Sequence, residues 1–217
     1  MSTANTHVAH HYDDAEQQFD AARLGMWIFL ATEVMFFGGM FTGYTTCRFM
    51  YPAAFAEGSS HMQLLAGTLN TAVLLLSSLT MALAVRSVQV NRPAVAVRLL
   101  MVTLVLGFVF LGIKGYEYAT KFAEHHVPGA AFSLGEAHNP AVNPQHVELF
   151  FAFYFLLTGF HALHMLIGVT IVAIVAVQTW RGQFSSAYFT PLEITGLYWH
   201  FVDIVWVFLF PLLYLIH

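Results

Sequence analysis

Five apolar stretches, at residues 23–46, 64–85, 99–118, 147–178 and 194–216, alternate along the chain with shorter polar segments. A hydrocarbon core about 30 Å thick takes roughly 20 helical residues to cross, so each stretch is long enough to span it. Backbone polar groups inside lipid must find partners within their own segment, which makes helices the default, and no ten-residue alternating pattern argues for a barrel. The pattern predicts an all-α fold: an integral membrane bundle of five transmembrane helices over residues 23–217, after a polar tail at 1–22. Only Glu33 interrupts the first stretch, and the second holds no ionisable side chain. The third is tipped by Arg98 and Lys114, whose stems are long enough to carry their charges to the interface. The fourth exceeds a perpendicular span and is expected to tilt or protrude.

Composition agrees with a lipid solvent, since 58% of the 217 residues are hydrophobic and 9% charged. That balance leaves too little polar surface for a water-soluble globule. The net charge of −4 comes without a basic run, so no nucleic-acid partner is indicated. Cys47 is the single cysteine, which excludes an internal disulfide and a Cys-x-x-Cys site. The tail carries Asp13, Asp14, Glu16 and Asp20 with no Lys or Arg, unlike a secretory signal, and reads as a segment retained on the cytoplasmic side. Its His7, His10 and His11 are open to metal binding or to plain solvation. Placing the amino terminus inside puts Arg23, Arg86, Arg92, Arg98 and Arg181 on the cytoplasmic face and Arg48, Lys114 and Lys121 outside. The excess of basic residues favours this orientation, with the carboxyl terminus out. The one long connection then faces outward and holds His125, His126 and His138.

Glu33 lies ten residues beyond Arg23, which places it about 15 Å along the helix, near the bilayer midplane. An ionisable group at that depth is a functional candidate, and it favours the neutral acid unless a cation partners it. His161 and His164 stand three apart on the fourth span, as do His200 and Asp203 on the fifth, so each pair shares a broad helix face. Interhelical hydrogen bonding and haem ligation are both open, although two histidines at i and i+3 cannot bind opposite faces of one porphyrin. Gly39 with Gly43, and Gly107 with Gly112, are candidate close-packing positions. Trp27, Trp180, Trp199 and Trp206 suit interfacial belts or the walls of a lipid-filled groove.

Several strings together resemble the haem-copper oxidase subunit III family, above all cytochrome c oxidase subunit III in its five-helix bacterial form. They are residues 23–37, running from Arg23 through Trp27 to Glu33 and Phe37; Leu69-Asn70-Thr71 with Leu74 to Ser77; Glu117-Tyr118; Thr158-Gly-Phe-His161-Ala-Leu-His164 with Gly168; and Tyr198-Trp-His200-Phe-Val-Asp203-Ile-Val-Trp206. The resemblance implies a subunit in the bacterial cytoplasmic membrane with no catalytic residue, metal or redox cofactor of its own. Haem and copper would sit in partner subunits, with subunit I in direct contact, subunits II and IV in the same complex, and structural phospholipid bound. Cytochrome c or another respiratory complex would be the electron donor. It marks Glu33 as the buried functional carboxylate, and Asn70, Glu117, His161, His164, His200 and Asp203 as interhelical polar groups. Arg23, Trp27 and Trp199 become candidate lipid contacts. Subunit III of a quinol oxidase and an accessory protein of nitric oxide reductase are the nearest alternatives. A free-standing transporter using Glu33, His161, His164 and Asp203 as a proton relay, and a membrane b-type cytochrome, belong to other classes.

Overall fold

A computed structural model of the chain describes residues 15–130, 132–134, 141–186 and 188–216. The tail histidines His7, His10 and His11, and His138 of the long connection, lie outside those residues. Among the described residues there are five long helices, α1 (Ala15–Met50), α3 (Leu64–Gln89), α4 (Pro93–Ala123), α5 (Pro144–Trp180) and α6 (Thr190–Tyr214). A short α2 (Pro52–Ser60), which the hydropathy pattern did not predict, follows α1 directly. Each long helix extends beyond its predicted stretch at one or both ends. α5, at 37 residues, is about 55 Å long, well beyond the apolar thickness of a bilayer.

The helix ends follow local chemistry. Proline opens α2, α4 and α5, where its missing N–H belongs to the turn that lacks intrahelical acceptors. Asn143 adds a cap, its side chain accepting from the Gln145 backbone N–H at 3.0 Å. At the other end, Asn91, His125 and Gly182 take left-handed backbone angles after α3, α4 and α5. The following N–H then reaches back to Ser87, Lys121 and Gln178 carbonyls at 2.8, 3.0 and 3.1 Å, which closes each helix. Along the spans, the exposed hydroxyls of Thr32, Thr42 and Thr170 return to carbonyls of the preceding turn, so they add no unpaired donor to the membrane-facing surface, and the buried Thr103 and Thr179 do the same inside the bundle.

Helices α3, α4, α5 and α6 form a closed ring of pairwise contacts, and α1 leans on its outside against α6, α5 and α2. The apolar window of α1 is accordingly 11% buried, against 56% for α6. Exposed Leu65, Leu75, Val105, Phe108, Leu166 and Ile204 give the ring an apolar outer surface, as expected where lipid is the solvent.

The interior is set by large aromatics seated on small residues. A Cβ at Gly107 would stand 3.0 Å from Trp199 Cη2, one at Gly168 would stand 3.2 Å from the same indole, and one at Gly58 would overlap Phe150 at 2.3 Å. Gly39 and Gly112 have nothing within 4 Å, so neither packs tightly, and Gly43 makes ordinary contact with Phe153. Two sequence expectations are overturned here. Trp199 is fully buried and its Nε1–H donates to Ser77 Oγ at 3.1 Å, so it is a core residue rather than a lipid contact. Lys114 does not reach the interface either; it is 4% exposed because its ammonium has partners inside the ring.

Candidate functional site

Glu33 stands at the middle of α1, 18 residues after Ala15 and 17 before Met50. There its Oε2 meets His164 Nε2 of α5 at 3.1 Å. The other ring nitrogen of His164, Nδ1, lies 2.8 Å from the Phe160 carbonyl oxygen. A carbonyl can only accept, so Nδ1 carries a hydrogen and Nε2 is the nitrogen that exchanges a proton with the acid. The pair therefore shares one proton, either as carboxyl and neutral imidazole or as carboxylate and imidazolium. Tyr198 braces it by donating to the His164 carbonyl at 3.0 Å. The pair forms part of the wall of a groove of about 590 Å³ between α1, α5 and the start of α6, otherwise lined largely by Met26, Phe29, Phe36, Phe160, Ile167 and Tyr198. On the other flank of α1 a second groove of about 330 Å³, between Val34, Phe37, Phe41, Phe201, Ile204 and Phe208, has no ionisable group in its walls.

A second polar centre lies inside the ring. Lys114 Nζ donates to Glu117 Oε2 at 3.1 Å and to the Tyr154 and Tyr214 hydroxyls at 3.0 Å each. Both hydroxyls pass the interaction on, donating to Glu117 Oε1 at 2.9 and 2.6 Å. All three ammonium hydrogens are thus matched, and both carboxylate oxygens accept, which is the condition for holding an ion pair out of water. This network joins α4, α5 and α6. The sequence marks Glu117 as an interhelical polar group and Lys114 as an interfacial cation, but it does not point to Tyr154 or Tyr214; the available signal for the pair is the Lys-x-x-Glu spacing within an apolar stretch.

The remaining candidates separate. His161 and His164 are about 60° apart around α5, enough to send them to different places. His164 faces α1, whereas His161 is enclosed by Phe110 and Trp206, ring centroids 5.4 and 5.1 Å away. Both nitrogens of His161 and both amide atoms of Asn70 are buried without a hydrogen-bond partner among the described residues. His200 Nδ1 meets Ser78 Oγ of α3 at 2.7 Å. Asp203 is buried one turn on, with Ser78 beside it but no well-formed hydrogen bond to either oxygen. Glu33, Glu117, His164 and His200 therefore reach other helices through hydrogen bonds, while the side chains of Asn70, His161 and Asp203 are buried without one among the described residues. Arg23 and Trp27, one turn apart, are both exposed on α1. Among the described residues no group of three or more His, Cys, Asp or Glu side chains is arranged to hold a metal ion.

At the end of the bundle beyond α4, Lys121 Nζ donates to the His61 carbonyl at 2.8 Å and to Glu124 Oε2 at 2.6 Å, and His126 Nδ1 meets the same Glu124 oxygen at 3.0 Å. Burial opposes ionisation of Glu124, but the hydrogen bond and charge of Lys121, helped by His126, prevail and hold its pKa below the usual value. Burial, then the charges of Lys121 and His61, hold His126 below the ordinary imidazole value despite Glu124. His126 stacks on Phe151 of α5, so this cluster ties α2, α4 and α5 together.

Comparison with known proteins fits this architecture. The family model for cytochrome c oxidase subunit III matches residues 2–217. The chain is 29% identical over 205 residues to a cytochrome c oxidase subunit 3 of Thermostichus vulcanus, covering 94% of this chain and 92% of that one. It is 32% identical over 201 residues to a cytochrome c oxidase subunit 3 of Synechocystis sp., covering 91% and 76%. A probable quinol oxidase subunit 3 of Staphylococcus epidermidis is 29% identical over 213 residues, covering 97% and 96%. With its five long apolar helices and a match over nearly its whole length, the chain belongs to the cytochrome c oxidase subunit III family.

Proposed function

We propose that this chain is the non-redox third subunit of a proton-pumping haem-copper terminal oxidase, packed directly on subunit I, with subunits II and IV in the same complex. The observation that carries this reading is the filled interior of the α3–α6 ring. Trp199, Trp206 and Phe110 occupy it together with the closed Lys114–Glu117 network, an arrangement suited to a rigid scaffold and not to a substrate path. The ionisable groups of the transporter alternative are also dispersed, His161 being enclosed by aromatics while Glu33 pairs with His164 outside the ring.

The subunit would sit in the bacterial cytoplasmic membrane with its amino terminus inside and its carboxyl terminus outside. Burial of Lys114 in an ion pair strengthens the charge argument. Removing it leaves Arg48 and Lys121 outside against Arg23, Arg86, Arg92, Arg98 and Arg181 inside. Structural phospholipid would lie along α1, its acyl chains in the wholly apolar groove at Phe37 and Phe208 and its headgroup near Arg23 and Trp27. By packing on subunit I and holding this lipid, the subunit would keep a proton-uptake entrance supplied and the active site durable through turnover.

Cytochrome c is the donor in the first reading. The second, subunit III of a quinol oxidase, is favoured by the Staphylococcus epidermidis relative, which matches this chain at the same 29% identity as the one from Thermostichus vulcanus. The test is to tag this chain, extract the membrane in mild detergent and record the absorption spectrum and oxygen consumption of what elutes. Haem-containing subunits that reduce oxygen support the proposal, and the donor they accept decides between the two branches. A lone oligomer that moves solute in liposomes would overturn it.

A further inference from the structure

The groove at Glu33 differs from an ordinary seam between membrane helices in what its polar atoms can do. Glu33 Oε2 is committed to His164 Nε2 at 3.1 Å, and His164 Nδ1–H to the Phe160 carbonyl at 2.8 Å. The second carboxyl oxygen, Oε1, has no hydrogen-bond partner among the described residues. It is an acceptor in both forms of the pair, as the carbonyl of a neutral acid or as half of a carboxylate. The site thus asks for a hydrogen-bond donor, and it asks at the middle of a 36-residue helix.

Depth narrows the donor's identity. The polar headgroups of phospholipids lie outside a hydrocarbon core about 30 Å thick, so they sit roughly 15 Å from this point, and acyl chains carry no donor. The walls call for a flat ring: Phe29, Phe36, Phe160 and Tyr198 surround the polar floor, with Phe36 edge-on to Phe160 at 5.0 Å and Phe29 stacked on Tyr198 at 6.1 Å. A volume of about 590 Å³, mostly apolar with a few convergent polar atoms, is that of a small-molecule site. Partial exposure of Phe29, Phe36, Leu163 and Ile167 leaves it open to the lipid side.

We propose that this groove binds the ring of an isoprenoid quinol, a ring hydroxyl donating to Glu33 Oε1 and the tail running out between α1 and α5. The site recognises the reduced form. A quinone offers only acceptors, leaves Oε1 without a donor, and binds about tenfold more weakly. Binding needs no electron transfer in this chain.

The test uses the intact oxidase complex, anaerobic, in mild detergent, with decylubiquinol as probe. The rate at which a hydrophobic carbodiimide modifies Glu33, read by peptide mass spectrometry, falls on adding decylubiquinol, needs about tenfold more decylubiquinone for the same protection, and is unmoved by dodecanol or a short-chain phosphatidylcholine. An azido-quinol photolabel, reduced in place, maps to residues 26–36 and 160–171. Leu163→Trp, which fills the groove, and Glu33→Leu, which removes the acceptor, lower that labelling at least tenfold, while Glu33→Gln, which keeps a carbonyl acceptor, retains it. Equal protection by every amphiphile would mean an acyl-chain groove only, and photolabel confined to other subunits would mean no site; either overturns the proposal. If Glu33 resists the carbodiimide, the photolabel map decides alone. Haem in the eluate reports on the assembly proposed above and the footprint reports on the groove, so each can fail without the other.

Discussion

Lys114→Met tests whether the ring is held by its buried ion pair. The substitution keeps the apolar stem of the side chain and removes the ammonium, leaving Glu117 enclosed with the Tyr154 and Tyr214 hydroxyls at 2.9 and 2.6 Å. Those hydroxyls also lose the ammonium from which they accept. Breaking one side of a buried pair costs about 3–5 kcal/mol, most of it the penalty of the stranded charge. For a chain of this size each kcal/mol moves the midpoint by about 2–4 °C, so the thermal midpoint of subunit retention in the purified complex should fall by roughly 6–20 °C. Replacing both charges, as Lys114→Met with Glu117→Leu, removes the stranded group. It should recover part of that loss, the shortfall coming from the two tyrosine hydroxyls left without Lys114 and Glu117, which at about 1 kcal/mol each offset roughly 2 of the 3–5 kcal/mol. A single variant within about 2 °C of the parent would show that the network is incidental to stability.

Carbodiimide in the absence of any added quinol should label Glu33 ahead of the other carboxylates of the chain, and Glu33→Gln should abolish the adduct; peptide mass spectrometry locating it on Glu117 or Asp203 instead would contradict the open groove. Gly107→Ala should destabilise by about 1–3 kcal/mol, since its Cβ meets Trp199 at 3.0 Å and Val169 at 3.1 Å. Gly39→Ala, with nothing within 4 Å, should be neutral or slightly stabilising, and thermal melts of the two variants side by side make the comparison. For the cluster at Glu124, both depressed groups push in one direction. His126 is held neutral when folded but takes up a proton near pH 6.5 when unfolded, and Glu124 loses its contribution as pH falls through its lowered value, so the cluster weakens in acid. Hydrogen exchange at the Ser133 and His126 amides, corrected for intrinsic rate, should quicken between pH 7.5 and 5.5, and His126→Phe should flatten most of that change.

Hydropathy alone determined the five spans and the all-α class, because a helix in lipid must satisfy its own backbone and any segment long and apolar enough has a single solution. The 9-residue α2 escaped that logic, being too short to cross anything. Family membership was also legible, through strings at Glu33, His161 to His164 and Tyr198 to Trp206 whose order does not depend on packing. What side chains do between helices depended on rotation and depth, which a linear pattern does not carry. Lys114 looked like an interfacial cation until Glu117, Tyr154 and Tyr214, two of them distant in sequence, were brought around it. Trp199 looked like a belt residue until Gly107 and Gly168 made room for it in the core. His161 and His164 shared a face by spacing, yet the angle between them is enough for the tertiary structure to give one to aromatic rings and the other to Glu33. Spans follow from each segment's free energy in lipid, a sum over its own residues; partners follow from which helices pack together, a property no single segment contains.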